Sequence, residues 1–427
     1  MAKPNLALIP ATIGDKVYSI LPNDSVGDFD FDRGTIATRI NAQGLIEQVA
    51  SGVNRLNYSL LDGEVVGCPH LLLEPSRTNI FQRSEEFSNA YWNISRIETP
   101  YIADVVSPDG TLNAYTLEIS NGETNGGGVY RTGISISGDN SWSVFAKKKT
   151  ANYLVISDTG TTTNAVYFDL ENGTVGTTYN ATGEMQDFGN GWYRCTMKYT
   201  LTSSGAKFIY LSNLDGATGG GVQGGDSIYI YGAMLEQGSY PTSYIKTTSA
   251  AVTRAAETCY GSGNAATFND SEGVLMAEIS ALTDDATERR ITISNSSNTS
   301  ELILIEYDTP SNTLHAFLYD GSFQAEFTHT LNDITTFAKV GFKYKANDFA
   351  LWVNGFEVGT DNIGNVFPNN TLDVLKFENS VSLNKPFYGN TKQIQYFDSA
   401  LTDTELEQLT SWDSFRAMAE GQLYSVE

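Results

Sequence analysis

The stretch Leu71-Leu72-Leu73-Glu74-Pro75-Ser76-Arg77-Thr78-Asn79-Ile80-Phe81 decides how this chain is read. It runs on into Ser84-Glu85-Glu86-Phe87-Ser88-Asn89-Ala90-Tyr91-Trp92. A distant echo stands at Gly232-Ala233-Met234-Leu235-Glu236-Gln237-Gly238-Ser239-Tyr240-Pro241-Thr242-Ser243-Tyr244-Ile245. Short segments of alternating polarity fill the interval. The two phrases therefore read as the opening and closing strands of one β-sandwich.

The composition agrees. Glycine numbers 39, and tyrosine and phenylalanine number 23 and 21 among 427 residues. Helical periodicity is nearly absent, so the fold class expected is all-β: two jelly-roll sandwiches after an extended N-terminal segment, with one short C-terminal helix. A chain of this length can bury a large core without metal or disulfide staples. Cys68, Cys195 and Cys259 are too few and too scattered for a disulfide framework or a zinc site, and each is expected to be a small core residue.

The domains expected are an extended docking segment over 1–75, a first sandwich over 76–250, a second over 251–412, and a tail over 413–427. In the N-terminal segment, strands flank turns at 41–44 and at Asp62-Gly63. Its apolar content is too thin to fold alone, so it is expected to lie against the next domain or a sister subunit, with strand addition as the means. In the first sandwich, the period of two in Trp142-Ser143-Val144-Phe145 puts Trp142 and Val144 on one face and Phe145 partly on the other. In the second, strands are expected at 273–279, 289–294, 301–308, 313–319, 336–345, 349–353, 371–377 and 387–397. Thr402 and Glu405 then form a capping box that starts the helix.

The formal net charge is −24. This argues against nucleic acid and anionic membranes as partners. No stretch approaches the roughly 18 apolar residues of a membrane span. The start Met1-Ala2-Lys3-Pro4-Asn5 lacks the apolar run of a signal peptide, which leads to the expectation of a protein made in a host cytoplasm and released inside a particle.

Two resemblances sharpen the reading. Lys339-Val340-Gly341-Phe342-Lys343-Tyr344, Phe349-Ala350-Leu351-Trp352-Val353-Asn354-Gly355 and Gly389-Asn390-Thr391 through Leu401-Thr402-Asp403-Thr404-Glu405-Leu406 resemble a concanavalin A-like, laminin G-like jelly roll. In that family Asn-Gly forms a hairpin apex and the last strand runs into a turn of helix. The opening and closing phrases, with Gly189-Asn190-Gly191-Trp192-Tyr193-Arg194 and the lead-in 37–46, resemble the carbohydrate-binding-module-like sandwich of tailed-bacteriophage structural proteins. That resemblance implies a non-enzymatic virion protein of a tail, fibre or surface appendage. Its implied role is host attachment through glycan or protein, with other virion proteins and copies of itself as partners. The alternative is a tail-borne capsule polysaccharide depolymerase or lyase.

Chemistry-bearing residues are sparse. His70, His315 and His329 suggest no triad or metal set, and of Glu301, Glu306 and Asp308 only the last two share a strand face. Sugar contact uses aromatic faces. Tyr130, Trp142, Tyr153, Trp192, Tyr210, Tyr319 and Trp352 come under consideration. Trp192 and Trp352 are assigned to the core, and Tyr130, Tyr153, Tyr210 and Tyr319 are the glycan candidates. Sandwich loops also hold calcium in carboxylates, for which Asp104, Asp109, Asp226, Asp270 and Glu272 are the candidates.

Overall fold

A computed structural model describes every residue except 1, 9–11, 14–15, 23–24, 100–102, 161–162, 202–204, 218–219, 379–383 and 423–427. The end of the expected tail lies outside the described residues. The architecture is all-β, and among the described residues the helices are the short Asp403–Thr410 and Phe415–Gly421. Among the described residues no helix is long and apolar enough to cross a membrane.

The first sandwich has two six-stranded antiparallel sheets. One runs in the order Asn93–Ser95, Gly128–Arg131, Ala206–Ser212, Tyr153–Thr159, Thr163–Asp169, Thr174–Tyr179. The other runs Ala103–Val106, Leu112–Glu118, Ser227–Gln237, Gly138–Lys148, Trp192–Leu201, Thr182–Asp187. The period of two sorts their side chains. Leu154, Ile156, Val166, Phe168, Ile209, Trp142 and Val144 fill the space between the sheets.

The second sheet is buried on both faces. Phe145 points away from Trp142, as its register predicts, into a separate layer with Phe188, Trp192, Tyr231 and Tyr244. The N-terminal hairpin Ala37–Ile40 and Ile46–Val49 covers that layer through Ile46. Trp192 is thus a core residue of this outer layer, not of the space between the sheets. Its indole donates to the Val106 carbonyl at 3.1 Å. A second N-terminal hairpin, Leu56–Leu61 with Glu64–Leu73, turns at Asp62-Gly63, where both residues have positive φ. A Cβ on Gly63 would come within 2.6 Å of Gly189, so glycine is what lets this turn touch the Gly189-Asn190-Gly191 turn.

The second sandwich is assembled from distant parts of the chain. Its larger sheet orders Phe356–Asp361, Phe349–Val353, Ala338–Lys345, Glu272–Ala281, Gly389–Phe397, Glu64–Leu73 and Leu56–Leu61, and Leu6–Leu8 also pairs with Gly389–Phe397. The facing sheet orders Phe323–Thr330, Thr313–Asp320, Asn298–Tyr307, Arg289–Asn295 and Val374–Lys376. Leu6, Leu8, Phe29, Phe31, Leu71 and Leu73 are buried in the same core as Ile291, Ile303 and Phe342. Residues 1–75, expected to lie against the next domain or a sister subunit, add their strands within the chain. The physical reason is that Gly389–Phe397 offers an unpaired edge that Leu6–Leu8 and Leu71–Leu73 occupy with apolar side chains facing inward.

The first sandwich is therefore an insertion. The chain leaves through Arg77–Asn79 and returns through Val252–Arg254, and these two strands pair as a narrow neck. Asn79 fastens it. Its amide donates to the Ala233 and Ile245 carbonyls at 3.1 and 2.8 Å, and its carbonyl accepts from the Phe81 and Leu235 amides at 3.2 and 3.1 Å. The opening and closing phrases are thus neighbours.

A buried ionic cluster fills the base of the neck. Arg33, Arg55 and Arg254 are fully buried, with Glu74 and Glu257. Arg33 meets Glu257 at 2.6 Å, Arg55 pairs with both Glu257 and Glu74, and Arg254 meets Glu74 at 2.9 Å. Three guanidiniums share two carboxylates, and each ion contacts an opposite charge, which is the condition for tolerating ions out of water.

Two local readings need correction. Cys68 is exposed, because it lies where the register of the Leu56–Leu61 and Glu64–Leu73 pair shifts, whereas Cys195 and Cys259 are buried. Trp142 is fully buried and presents no ring to a ligand. His70 is buried, and its ring packs on Phe337 with centroids 5.6 Å apart. The Asn354-Gly355 apex and the Thr402/Glu405 capping box form as expected.

Candidate functional site: an aromatic sheet face

The sheet containing Tyr153–Thr159 has one face in the core and an outer face on which Val155, Ala165 and Tyr167 are buried while Tyr130, Tyr153, Phe208 and Tyr210 stay half-buried. Cross-strand register sets out the outer face in rows. Tyr130 pairs with Phe208, Phe208 with Ser157, Ser157 with Ala165, and Ala165 with Tyr179. In the next row Tyr210 pairs with Gly128 and with Val155, and Val155 with Tyr167. Tyr153 lies in the third row, between Ser212 and Asp169.

Three of the four tyrosines selected from sequence, Tyr130, Tyr153 and Tyr210, therefore share one face. The rings of Tyr130 and Tyr210 are connected through Phe208. Tyr130 and Phe208 have centroids 5.2 Å apart at 31°, and Phe208 and Tyr210 are 5.0 Å apart at 60°. Gly128 positions Tyr210: a Cβ there would lie 2.7 Å from the Tyr210 ring, so the missing side chain lets the ring lie over the neighbouring strand. The ring reaches the Ser95 hydroxyl on the strand beyond, and burial pushes the Tyr210 phenol up. Burial and Asp169 raise the Tyr153 phenol.

Tyr130, Tyr153, Phe208 and Tyr210 are half-buried, and Tyr179 is 43% exposed. The loop after Ser212 borders the far side: the Asp215 carboxylate accepts from the Thr177 amide at 2.8 Å and the Tyr179 hydroxyl donates to the Gly216 carbonyl at 3.0 Å. Phe208 completes the platform and was missed in the sequence. Its strand position opposite Tyr130 is the signal that would have found it.

Tyr319 lies apart, on the outer face of the smaller sheet of the second sandwich, against Phe323 with centroids 5.2 Å apart. The same face carries an ion cluster. His315 Nδ1 is 2.9 Å from Glu306 and 4.0 Å from Asp308, and Nε2 is 3.1 Å from Glu326. Arg290 meets Glu306 at 2.5 Å. Glu306, Asp308 and His315 are close enough to ligate one ion. Burial disfavours the charged ring, but Glu306 and Glu326 outweigh it and hold the His315 pKa above its usual value.

The calcium candidates are not brought together. Asp104 is an exposed strand residue touching Thr116. Asp109 closes a turn with Ser107 and Thr111, and its second oxygen takes bonds from Asn113 and Tyr231. Asp226 accepts from Gln223 and Asn213. Asp270 accepts the backbone amides of Asn370, Thr371 and Leu372, and Glu272 pairs with Lys345 at 2.9 Å. Each carboxylate is already engaged by donors of the chain.

One polar pocket of about 370 Å³ brings two acids near each other, under the N-terminal hairpin. The Tyr231 hydroxyl lies 2.9 Å from Glu85 and 3.1 Å from Asp109. Glu85 is further held by Tyr244 at 3.1 Å and Lys246 at 2.5 Å.

No protein-family model and no curated protein sequence matches the chain. Among solved structures it is similar to the carbohydrate-binding module CBM40 of the Ruminococcus gnavus intramolecular trans-sialidase bound to α2,3-sialyllactose. The identity is 17%, covering 36% of this chain and 94% of that one, with a TM-score of 0.31. A pentraxin of Limulus polyphemus gives 14% identity over 34% of this chain and 72% of that one, with a TM-score of 0.28. The LG4-5 domains of mouse laminin α1 give 10% identity over 71% and 96%, with a TM-score of 0.24. Scores this low establish neither a family nor a ligand.

Proposed function

We propose that the protein is a non-enzymatic attachment protein whose first sandwich binds glycan on the Tyr130–Phe208–Tyr210 face. The observation that carries this reading is the connected set of half-buried rings at the Tyr130–Phe208–Tyr210 end of the outer sheet face, beside a centre where Val155 and Tyr167 are fully buried. Ring faces pack against sugar C–H bonds, and the hydroxyls of Tyr153, Tyr210 and Ser95 offer polar partners at the edges. The same rings stabilise the sheet by cross-strand contact, so removing one tests binding only if stability is followed in parallel.

The virion setting rests on the resemblance of the opening, closing and lead-in phrases to tailed-bacteriophage structural proteins. In that setting the partners are other virion proteins and a host surface glycan. The non-catalytic reading draws support from the Glu85–Asp109 pocket, where tyrosine, lysine and asparagine donors occupy the carboxylate oxygens. A glycosidase needs one acid protonated and one free.

The test is a screen of bacterial surface polysaccharides with the intact chain and with Tyr130→Ala and Tyr210→Ala. Retention that both substitutions abolish, with no new reducing ends or unsaturated products, fits the proposal. Product release identifies a depolymerase instead, and retention unaffected by either substitution rules out this face.

A further inference from the structure

A cleft of about 550 Å³ opens where the two sandwiches and the N-terminal hairpin meet. Arg194, on the strand Trp192–Leu201, forms part of its wall. Nε and Nη2 donate to Ser143 Oγ at 3.2 and 3.0 Å, and Nη2 also donates to the Thr242 carbonyl at 2.8 Å. Among the described residues Nη1 has no acceptor, and no carboxylate lies within ion-pair distance of this guanidinium. Nη1 is also absent from the buried atoms without partners, so it keeps access to the cleft.

The acids whose charge Arg194 feels are engaged elsewhere. Glu236 takes the Thr242 amide and hydroxyl at 2.9 and 2.7 Å, Glu74 takes Arg55, Arg254 and Ser243, and Glu184 takes Lys198 at 3.2 Å. Burial holds the Arg194 pKa below its ordinary value. A guanidinium withdrawn from water without its own anion is costly, and every arginine of the neck cluster avoids that cost. Arg194 presents its Nη1 edge to the cleft, and among the described residues no carboxylate lies within ion-pair distance of it.

The rest of the wall suits a polar ligand. Arg39 and Lys198 line the cleft beside Glu74 and Glu184; Arg39 is paired with Glu47 at 2.8 Å and Lys198 with Glu184 at 3.2 Å, so the unpaired guanidinium edge of Arg194 is what distinguishes the wall. Asn57, Thr283 and Asn390 supply amides and a hydroxyl from the N-terminal segment and the second sandwich, and Tyr240 supplies a ring. We propose that this cleft binds a carboxylate-bearing saccharide, with the carboxylate seated on Nη1 of Arg194. The site is separate from the aromatic face and stands or falls independently of it. It also needs both sandwiches, because its wall comes from each.

The experiment is calorimetric titration of the intact chain at low salt. The probes are oligomers of galacturonate, glucuronate and mannuronate, the same oligomers with carboxylates reduced to alcohols, and inorganic phosphate. At least one uronate oligomer is expected to bind, with at least a tenfold loss on carboxyl reduction and on Arg194→Gln. Tyr210→Ala should leave that binding unchanged. If Arg194→Gln lowers the thermal transition, Arg39→Gln at the cleft rim is the second variant, with a severalfold loss expected. Equal affinity for reduced and native oligomers, no binding of any uronate, or loss on Tyr210→Ala alone overturns the proposal. Phosphate binding as tightly as the uronate overturns the saccharide assignment.

Discussion

Glu74 and Ser243 lie 169 residues apart in sequence, yet Ser243 donates its backbone N–H at 2.7 Å and its hydroxyl at 2.6 Å to the Glu74 carboxylate. Arg55 and Arg254 reach the same carboxylate at 2.7 and 2.9 Å. One side chain thus ties the N-terminal segment, the start of the neck, the closing phrase and the return strand. Glu74→Gln keeps the shape and removes the charge, leaving buried Arg254 without a carboxylate and Arg55 with Glu257 alone. The expected loss is about 3–5 kcal/mol of unfolding free energy, read by urea denaturation. A change under about 1 kcal/mol would show that the neck does not depend on this charge.

Removing residues 1–70 is expected to unfold the second sandwich. The truncation takes away Leu6, Leu8, Phe29 and Phe31 from its core and uncovers the edge of Gly389–Phe397. The sequence alone suggests that such a truncation stays folded and merely loses assembly. Limited proteolysis distinguishes the two outcomes: cleavage throughout 258–410 with a resistant 77–254 fragment supports the intramolecular role of the segment.

Asn79→Ala should cost about 2–3 kcal/mol without disturbing the strands elsewhere, because it strands two carbonyls and two amides that are out of water. Hydrogen exchange should report faster opening at the Leu235 amide in particular. Unchanged exchange there would mean that another group replaces the side chain.

Stability should fall on acidification in two steps. Burial, with Lys392 nearby, lowers the His70 pKa from 6.5 to about 3. The Ile40 amide donates to Asn57 Oδ1 at 2.8 Å, which turns the Asn57 amine toward His70 Nε2 and fixes that nitrogen as an acceptor. Below pH 6.5 the unfolded chain takes a proton that the folded chain refuses, so stability declines from about 6.5 toward 3. Burial opposes ionisation of Glu74, but Arg254 and Arg55 outweigh it and bring its pKa from 4.5 to about 2. Its contribution is present above 4.5 and is lost as pH falls toward 2. Melting temperature against pH should therefore lose its upper step in His70→Gln and keep its lower one.

On the aromatic face, Tyr210→Ala should reduce glycan affinity about tenfold, or about 1.4 kcal/mol. Tyr319→Ala, on the other sandwich, should leave it unchanged. Equal losses from the two variants would place binding elsewhere.

Much of the fold was legible because local patterns carry it. The alternation around Trp142 and Phe145, the Asn354-Gly355 apex and the Thr402/Glu405 cap each depend on a few neighbouring residues. The site was legible only in pieces. Tyr130, Tyr153 and Tyr210 stand out as rings in predicted strands, but nothing short of register shows that they share a face with Phe208. The Glu306–His315 cluster needs two strands aligned, and the free edge of Arg194 needs the packing of both sandwiches.

By itself the sequence determined which segments are strands, where they turn, and which side chains each strand turns inward, because these follow from a period of two and from residues that tolerate positive φ. Only the tertiary structure decided that Leu6–Leu8 and Leu71–Leu73 complete a sheet closed more than 300 residues later. It also decided that the first sandwich is an insertion held at a neck of buried ions. Backbone donors and acceptors are alike in every strand, so they do not specify a partner. The partner is set by which apolar faces and which opposite charges can leave water together.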